Sequence, residues 1–597
     1  MPTFRAPVVD YRFLFRELFD VASLASLPGY VNADLDVLLT ALEEGGRFCE
    51  DVIAPLNMPG DAAGCRWEAG DVKTPEGFPA AYAALADAGW LSLACDPAYG
   101  GQGLPFTLRF AIDEMLYAAN LSFAMYPGLA LGVYEGLYAH AGTALKELYL
   151  PRVVSGKWAG TMCLTEAHAG TDLGLIRTAA VPNPDGSCLL TGQKVFISAG
   201  EHDLTENILH LVLARLPDAP PGTHGISMFL VPKFVPDANG APGARNAVFC
   251  RSIEHKMGIR GSATCVLDFD RATGWLVGEP HKGLRAMFTL MNAARLGVGL
   301  QGLGLAGVSY GNAVAYARER RQGRSLSGVK DPQASADRIL HHADIRRGLL
   351  WMRAFVEGAR ALATWTAFQI DVELRHPDSS VREEAADLVA LMTPVIKAFF
   401  TDGAFVATNI GVQTLGGHGY IRDYGMEQFV RDARIGQIYE GTNYVQALDL
   451  AGRKLPDGNG RMLRRYLAIV RAELAEAERD PNLAAMANAF GAAVNRLSRG
   501  AMHLATKGIA NGDEVGAAAS DFLQIFGYVA VGHMWLRQAR VASQRRVTGG
   551  KMDQRFYDAK IRTARYFFER MLPQTETLLV TLMSGAGNVM DFDDDAW

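Results

Sequence analysis

One carboxylate stands where a chain could use it: Glu440, in Gln437-Ile438-Tyr439-Glu440-Gly441-Thr442-Asn443. Gly441 lets backbone approach closely, and Thr442 is a plausible N-cap for a helix continuing through Val445, Leu448 and Leu450. The amides at such a helix start favour developing negative charge. Together these make a base on a turn, presented to a substrate. An ordinary helix N-terminus with an acidic neighbour has the same sequence, and this stretch alone does not separate the two readings.

A second stretch, Cys163-Leu164-Thr165-Glu166-Ala167-His168-Ala169-Gly170-Thr171-Asp172, leaves a predicted strand for a polar turn that would expose amides and hydroxyls to a polar ring or a phosphate. Two further stretches, Gly297 to Gly302 and Gly302 to Gly307, satisfy GxGxxG. Neither follows a strand. Both lie within a helical stretch from Leu284 to Arg320, so they are expected to serve close helix packing rather than a dinucleotide turn. His341-His342 lacks carboxylate or thiolate partners at ligand spacing, and no metal site is expected.

The elements that must position these residues divide the chain into four. Residues 1–157 read as a helical domain, with apolar residues at three- and four-residue spacing in Asp34 to Phe48 and Thr107 to Ala119. Residues 158–279 change to short β-rich runs (Lys194 to Ser198, Ile208 to Ala214, Ile226 to Val231, Cys265 to Phe269) broken by Asn183-Pro184-Asp185-Gly186. Long helical patterns resume over 280–455. The breakers Leu455-Pro456-Asp457-Gly458-Asn459-Gly460 then lead to a helical tail, 461–597, with apolar stripes at Leu463, Leu467, Val470 and Leu474 and at Ile561, Ala564, Phe568 and Met571. The expected fold is mainly α with a central β-domain.

Composition narrows the partners. At 597 residues, several units each burying a core are expected, and 49% apolar content fits a folded chain. The net charge of -6, from 58 basic and 64 acidic residues, gives no reason to expect nucleic acid or an anionic membrane as partner. Seven cysteines without a CxxC pair fit reduced thiols in a cytoplasmic protein. Met1 to Arg16 lacks an apolar leader core, and no uncharged apolar run reaches 18 residues, so a soluble, untargeted protein is expected.

Taken with Phe196-Ile197-Ser198, Arg320, Gln413 to Gly417 and Tyr439-Glu440-Gly441-Thr442, the Cys163 to Asp172 stretch resembles the acyl-CoA dehydrogenase flavoprotein family, from near Gly89 to near Leu455. Met1-Pro2-Thr3-Phe4-Arg5-Ala6-Pro7, Lys256-Met257-Gly258-Ile259-Arg260-Gly261-Ser262 and the extra tail look most like its 3-methylmercaptopropionyl-CoA dehydrogenase branch. The resemblance implies a helical domain, a β-barrel or sandwich and a helical bundle, followed here by a C-terminal helical bundle.

It also implies FAD, its isoalloxazine between the β-domain and the helices of the third segment. Met162, Cys163, Leu164, Thr165, Gly170 and Thr171 match the strand and turn at the pyrimidine edge. Phe196, Ile197 and Ser198 match the segment over the ring face and N5, Ser198 standing where relatives often have Thr. Arg320 matches an arginine that pairs with the pyrophosphate, with Gln322 beside it, and a planar bidentate donor suits a diphosphate. A solvated helix charge is the alternative for Arg320. Gly323 replaces the usual aromatic, and Ser325 to Leu340 looks inserted, which leaves the adenine-side contacts open. Gln413, Leu415, Gly416 and Gly417 match the glycine segment that meets the ADP part, often across a subunit interface, and Thr442 and Asn443 match a further FAD contact.

Oxidising an acyl thioester at its α and β carbons removes a proton and a hydride. A positioned carboxylate supplies roughly 100- to 10,000-fold, so donors aimed at the enolate-like oxygen must supply much of the rest. By resemblance the base is Glu440, with a pKa raised by burial, and the donors are its own N–H and a ribityl hydroxyl. Relatives that carry the base on an earlier helix place it where this chain has Ala293-Ala294. Asn292, Arg295, Thr171, Tyr439 and Gly441 match substrate-side positions, and a structural ion pair is the alternative for Arg295. The implied reaction is dehydrogenation to the trans-2-enoyl-CoA by a homodimer that passes electrons to an electron-transfer flavoprotein. The sulfur-containing acyl group is the first expectation, ahead of medium or long chains. An acyl-CoA oxidase and a binding-only flavoprotein are the other readings. The tail's 18 basic against 15 acidic residues give too small an excess for duplex binding, which counts against the last.

Overall fold

The computed structural model describes residues 2–30 and 32–597; Met1 of the opening motif lies outside them. In chain order the helices of the first segment are α1 (Val8–Phe13), α2 (Leu35–Phe48), α3 (Asn57–Ala63), α4 (Phe78–Asp87), α5 (Phe106–Ala119), α6 (Leu121–His140) and α7 (Thr143–Val154), with a small hairpin, β1 (Arg66–Glu68) and β2 (Asp71–Lys73). The strands are β3 (Trp158–Cys163), β4 (Ala179–Pro182), β5 (Cys188–Ser198), β6 (Asn207–Arg215), β7 (Ile226–Pro232), β8 (Phe234–Pro236), β9 (Pro242–Arg245), β10 (Val248–Ile253) and β11 (Thr264–Val277). There follow α8 (Gly283–Glu319), α9 (Ala343–Arg375), α10 (Ser379–Leu415), α11 (Gly417–Tyr420), α12 (Met426–Arg434) and α13 (Asn443–Asp449). The tail holds α14 (Arg461–Glu478), α15 (Ala484–Ala510), α16 (Gly512–Thr548), α17 (Gln554–Tyr566), α18 (Gln574–Leu582) and α19 (Gly587–Met590).

Two compact units emerge: Phe48–Leu104 with Ala119–Gly297, and Met1–Arg47 with Pro105–Ala118 and Val298–Trp597. The first segment therefore contributes to both.

In the unit that holds the strands, β11, β5, β4, β6 and β7 pair in a closed ring, with β10 on β11 and β3 parallel to β6. Asn183-Pro184-Asp185-Gly186 makes the turn from β4 to β5, as its breakers predict. Strand β6 is buried along eight of its nine residues. Its alternation shows why both faces are apolar: Leu209, Leu211 and Leu213 enter a core with α6 and α7, whereas Val212 and Ala214 enter a second core with Phe229, Leu267 and Phe269. Strand β10, with only Cys250 and Val248 buried, carries too weak a pattern for the sequence to announce it.

In the other unit α9, α10 and α16 form the apolar centre. Gly358 brings α9 so close to α16 that an added Cβ would lie 2.5 Å from Trp535 Nε1, and that indole donates to Ala354 O at 2.8 Å. The two GxGxxG stretches are indeed packing surfaces. A Cβ on Gly302 would meet Phe400 O at 3.0 Å, and one on Gly304 would meet Ala118 N at 2.8 Å. The tail is held to this unit by buried charge as well as by apolar stripes. Lys560 of α17 is fully buried and bonds Asp10 Oδ1 at 2.5 Å and Glu357 Oε2 at 2.9 Å. Arg360 bonds Asp10 at 2.7 Å and Glu114 at 2.6 Å.

Candidate functional site

Glu440 sits in a short bend between two helical pieces, at φ 55, in the left-handed region that non-glycine residues seldom enter. Gly441 follows at φ 81, and a Cβ there would lie 2.8 Å from Gln446 Nε2. Thr442 caps α13 as the sequence predicts, its Oγ1 accepting from Val445 N at 3.2 Å. What holds this bend comes from α10. Lys397 Nζ, fully buried, donates to Gly441 O at 2.7 Å and to Asn443 Oδ1 at 2.8 Å. Asn443 Nδ2 donates to Asp402 Oδ1 at 2.7 Å, and Asp402 also accepts from Gln437 and Gln524, each at 2.7 Å. Burial pushes the Asp402 carboxyl up, against these donors and Lys397. On the other side of Glu440, Tyr439 donates its hydroxyl to Gln301 of α8, and burial, with the nearby charges, raises its pKa.

The Asn443 carboxamide accepts from Lys397 and donates toward Thr401, Ala398 and Asp402, so it helps fix the turn. The Thr442 hydroxyl accepts in its cap and keeps its own O–H as a donor. Sequence reasoning missed Lys397, Asp402 and Gln301. A lone cation within the apolar run from Leu388 to Phe400 was the available signal for Lys397.

The cofactor-side residues of the strand unit assemble around a bulge. Ile197 pairs with Cys265 and Lys194 with Leu267, so Val195 and Phe196 together oppose Val266 alone. Phe196 takes φ 59 at this bulge, and its ring is 64% exposed. Val195 N donates to Thr165 O at 2.9 Å and Thr161 Oγ1 to Ser198 O at 2.6 Å, which joins the Met162 to Thr165 stretch to the Phe196 to Ser198 stretch. Lys194, wholly buried, ties the turn down through Leu164 O and Glu166 Oε1, both at 2.9 Å. Burial opposes charge on Glu166, yet Lys194, the Thr178 hydroxyl and the Arg177 amide outweigh it and hold the carboxyl at about 2. Cys163 and Ile197 turn into the core and can offer only backbone. Met162, Leu164, Thr165 and Ser198 are half-buried, while Gly170 and Thr171 are exposed. On the first part of α8, Asn292 is exposed but Arg295 is 4% exposed, with Nη1 3.4 Å from Asn292 Oδ1.

The remaining cofactor-side residues lie together in the helical unit. Arg320 ends α8 exposed, and among the described residues no carboxylate pairs with its guanidinium, although Arg321 and Arg324 are paired with Asp331 and Asp337. One turn earlier, Tyr316 OH lies 2.7 Å from His418 Nδ1, which links this end of α8 to the glycine segment. There α10 stops at Gly416, φ 60, and neither Gly416 nor Gly417 has an atom within 4 Å of an added Cβ. Gln322, Gln413, Gly416 and Gly417 are exposed, and Leu415 is buried.

These donor sets fit FAD. An exposed ring on a bulge beside the Thr165 and Ser198 hydroxyls suits a flat heterocycle, and an uncommitted guanidinium near bare glycine backbone suits a diphosphate.

Comparison with known proteins agrees. The sequence matches family models described as acyl-CoA dehydrogenase, N-terminal domain (43–157), middle domain (161–272) and C-terminal domain (281–455), and acetyl-CoA dehydrogenase C-terminal like (466–593). It is 41% identical to a 3-methylmercaptopropionyl-CoA dehydrogenase of Ruegeria pomeroyi, covering 96% of each chain. It is 34% identical to a butyryl-CoA dehydrogenase of Syntrophomonas wolfei, covering 98% of each. In fold it is similar to an acyl-CoA dehydrogenase from Bacillus anthracis solved in complex with FAD, with a TM-score of 0.74 at 20% identity, covering 94% of this chain and 89% of that one.

Proposed function

The chain belongs to the acyl-CoA dehydrogenase family, and from that premise we propose that Glu440 is the base that takes the α-proton of an acyl-CoA thioester. The protein is an FAD-dependent oxidoreductase. When bound, FAD supplies the acceptor for the hydride leaving the β carbon.

The observation that carries the assignment is the strained backbone of Glu440, at φ 55 and gripped on both sides by buried groups, in a chain with alanines at 293 and 294. Conformational strain of this kind costs about 1–3 kcal/mol and persists where the surroundings over-determine it. In the proposed reaction the carboxylate accepts the proton while the Glu440 amide donates to the thioester oxygen as negative charge builds there, and exclusion of water strengthens both interactions. Arg320 and the Gly416–Gly417 turn hold the diphosphate and ADP parts of the cofactor, with Gln322 and Gln413 beside them. Thr165, Phe196 and Ser198 hold its ring.

The substrate is a short acyl-CoA, with 3-methylmercaptopropionyl-CoA first; the activities named for the two relatives support a short chain. A cytoplasmic homodimer that passes electrons to an electron-transfer flavoprotein completes the reading. Anaerobic titration of the purified protein with a panel of acyl-CoAs, following loss of flavin absorbance, tests it. Glu440→Gln is expected to keep the yellow cofactor and remain unbleached. Full bleaching of that variant at the wild-type rate would overturn the assignment, and rapid reoxidation in air with peroxide release would point to an oxidase instead.

A further inference from the structure

The inserted stretch after Arg320 is not a loose loop. Asp337, wholly buried, draws three main-chain amides onto its carboxylate: Ser325 N at 2.9 Å, Lys330 N at 3.0 Å and Asp331 N at 2.8 Å. Arg324 Nη1 adds a fourth donor at 3.2 Å. The same residue closes the neck of the loop through its backbone, where Gln322 N donates to Asp337 O at 3.0 Å and Asp337 N to Gly323 O at 2.9 Å. Two residues on, Ile339 N donates to the carbonyl of Arg320 itself at 2.8 Å. These bonds fasten the end of α8 at the residue whose guanidinium is uncommitted.

We propose that Asp337 is a positioning residue for cofactor binding: by closing the 321–339 loop it holds Arg320 and Gln322 in the arrangement that takes the diphosphate. The proposal rests on the reading of Arg320 as the diphosphate arginine. Its physical basis is preorganisation. A long, flexible guanidinium loses conformational freedom when it grips a phosphate, and a fixed backbone beneath it lowers that cost. The Asp337 carboxylate is enclosed by the loop's own amides and acts only through the loop, so its effect belongs on affinity and not on the chemical step.

The test is titration of the full-length apoprotein with FAD, followed by flavin fluorescence, together with turnover at saturating FAD. Arg320→Ala is expected to raise the FAD Kd tenfold or more. Asp337→Asn is expected to raise it about tenfold while kcat at saturating FAD stays within twofold. The double variant is expected to bind no more weakly than Arg320→Ala alone, because one effect passes through the other. An unchanged Kd in Arg320→Ala would sink the reading of Arg320. A normal Arg320 effect with an unchanged Kd in Asp337→Asn, or with two fully additive effects, would sink the positioning role. If Asp337→Asn does not fold, Arg324→Ala decides the matter, since it removes an exposed side chain that ties the same carboxylate to the loop carbonyls of Asp331 and Ala334. Two- to fivefold weaker binding supports the proposal and unchanged binding overturns it.

Discussion

The ammonium of Lys397 reaches the carbonyl of Gly441 at 2.7 Å, so a buried cation on one helix governs the backbone conformation one residue past the proposed base. Lys397→Met would leave Gly441 O and Asn443 Oδ1 without that donor and Asp402 without its nearby positive charge, at roughly 1–3 kcal/mol for each buried group left unpaired. The expected result is a melting point several degrees lower and a kcat/KM reduced about 10- to 100-fold as the turn relaxes. A variant that melts lower yet turns over normally would show that the network stabilises the fold without aiming Glu440.

Gly441 tests the same turn from the backbone side. Gly441→Ala puts a methyl at φ 81 and within 2.8 Å of Gln446 Nε2, with a conformational penalty of about 1–2 kcal/mol. Anaerobic stopped-flow reduction by an acyl-CoA should slow at least tenfold while FAD content stays at wild-type level. Unchanged reduction kinetics would mean that the bend tolerates rearrangement around the carboxylate.

Phe196 should separate stability from function. An exposed ring at φ 59 adds little burial, so Phe196→Gly relieves backbone strain and is expected to raise apoprotein stability by about 0.5–1 kcal/mol in urea unfolding. The same change should weaken FAD binding severalfold through loss of the ring surface. Stronger FAD binding by the glycine variant would contradict the assignment of this bulge.

The glycines of α8 distinguish packing from nucleotide binding. Gly304→Leu would drive a side chain into Ala118 N and Glu114 O, both backbone atoms that cannot yield, at about 1–3 kcal/mol or more. Thermal unfolding should drop accordingly, while the FAD affinity of the folded fraction is unchanged. Loss of cofactor affinity without loss of stability would revive the nucleotide reading.

Acid should weaken the strand unit. Burial, with Lys233 nearby, pushes His202 and His210 down to about 3, and Glu166 is held at about 2. An unfolded histidine takes up a proton near pH 6.5 and an unfolded glutamate near 4.3, so in this window the unfolded chain binds more protons than the folded one. Their stabilising contribution is complete above pH 6.5 and is lost as pH falls, on the order of 1–4 kcal/mol per imidazole. Urea midpoints should decline steadily between pH 7.5 and pH 5. A flat profile would show that these imidazoles accept protons in the folded state.

Glu440 and its cap, the helical seam of α8, the strand run through β5 to β7 and the breaker between body and tail were legible from the amino acids, because each rests on local periodicity, turn residues or caps that operate within a few positions. Tertiary structure alone decided what surrounds them. Lys397, Asp402 and Gln301 lie tens or hundreds of positions from the residues they bond, and only packing brings them there. The same holds for Asn443, whose side-chain partners on the neighbouring helix no local pattern announces. Burial separated the exposed Asn292 from the enclosed Arg295, three residues away on the same helix. Residue type and spacing nominate chemistry, but whether a polar group is free to perform it depends on partners and solvent exposure, which no local pattern encodes.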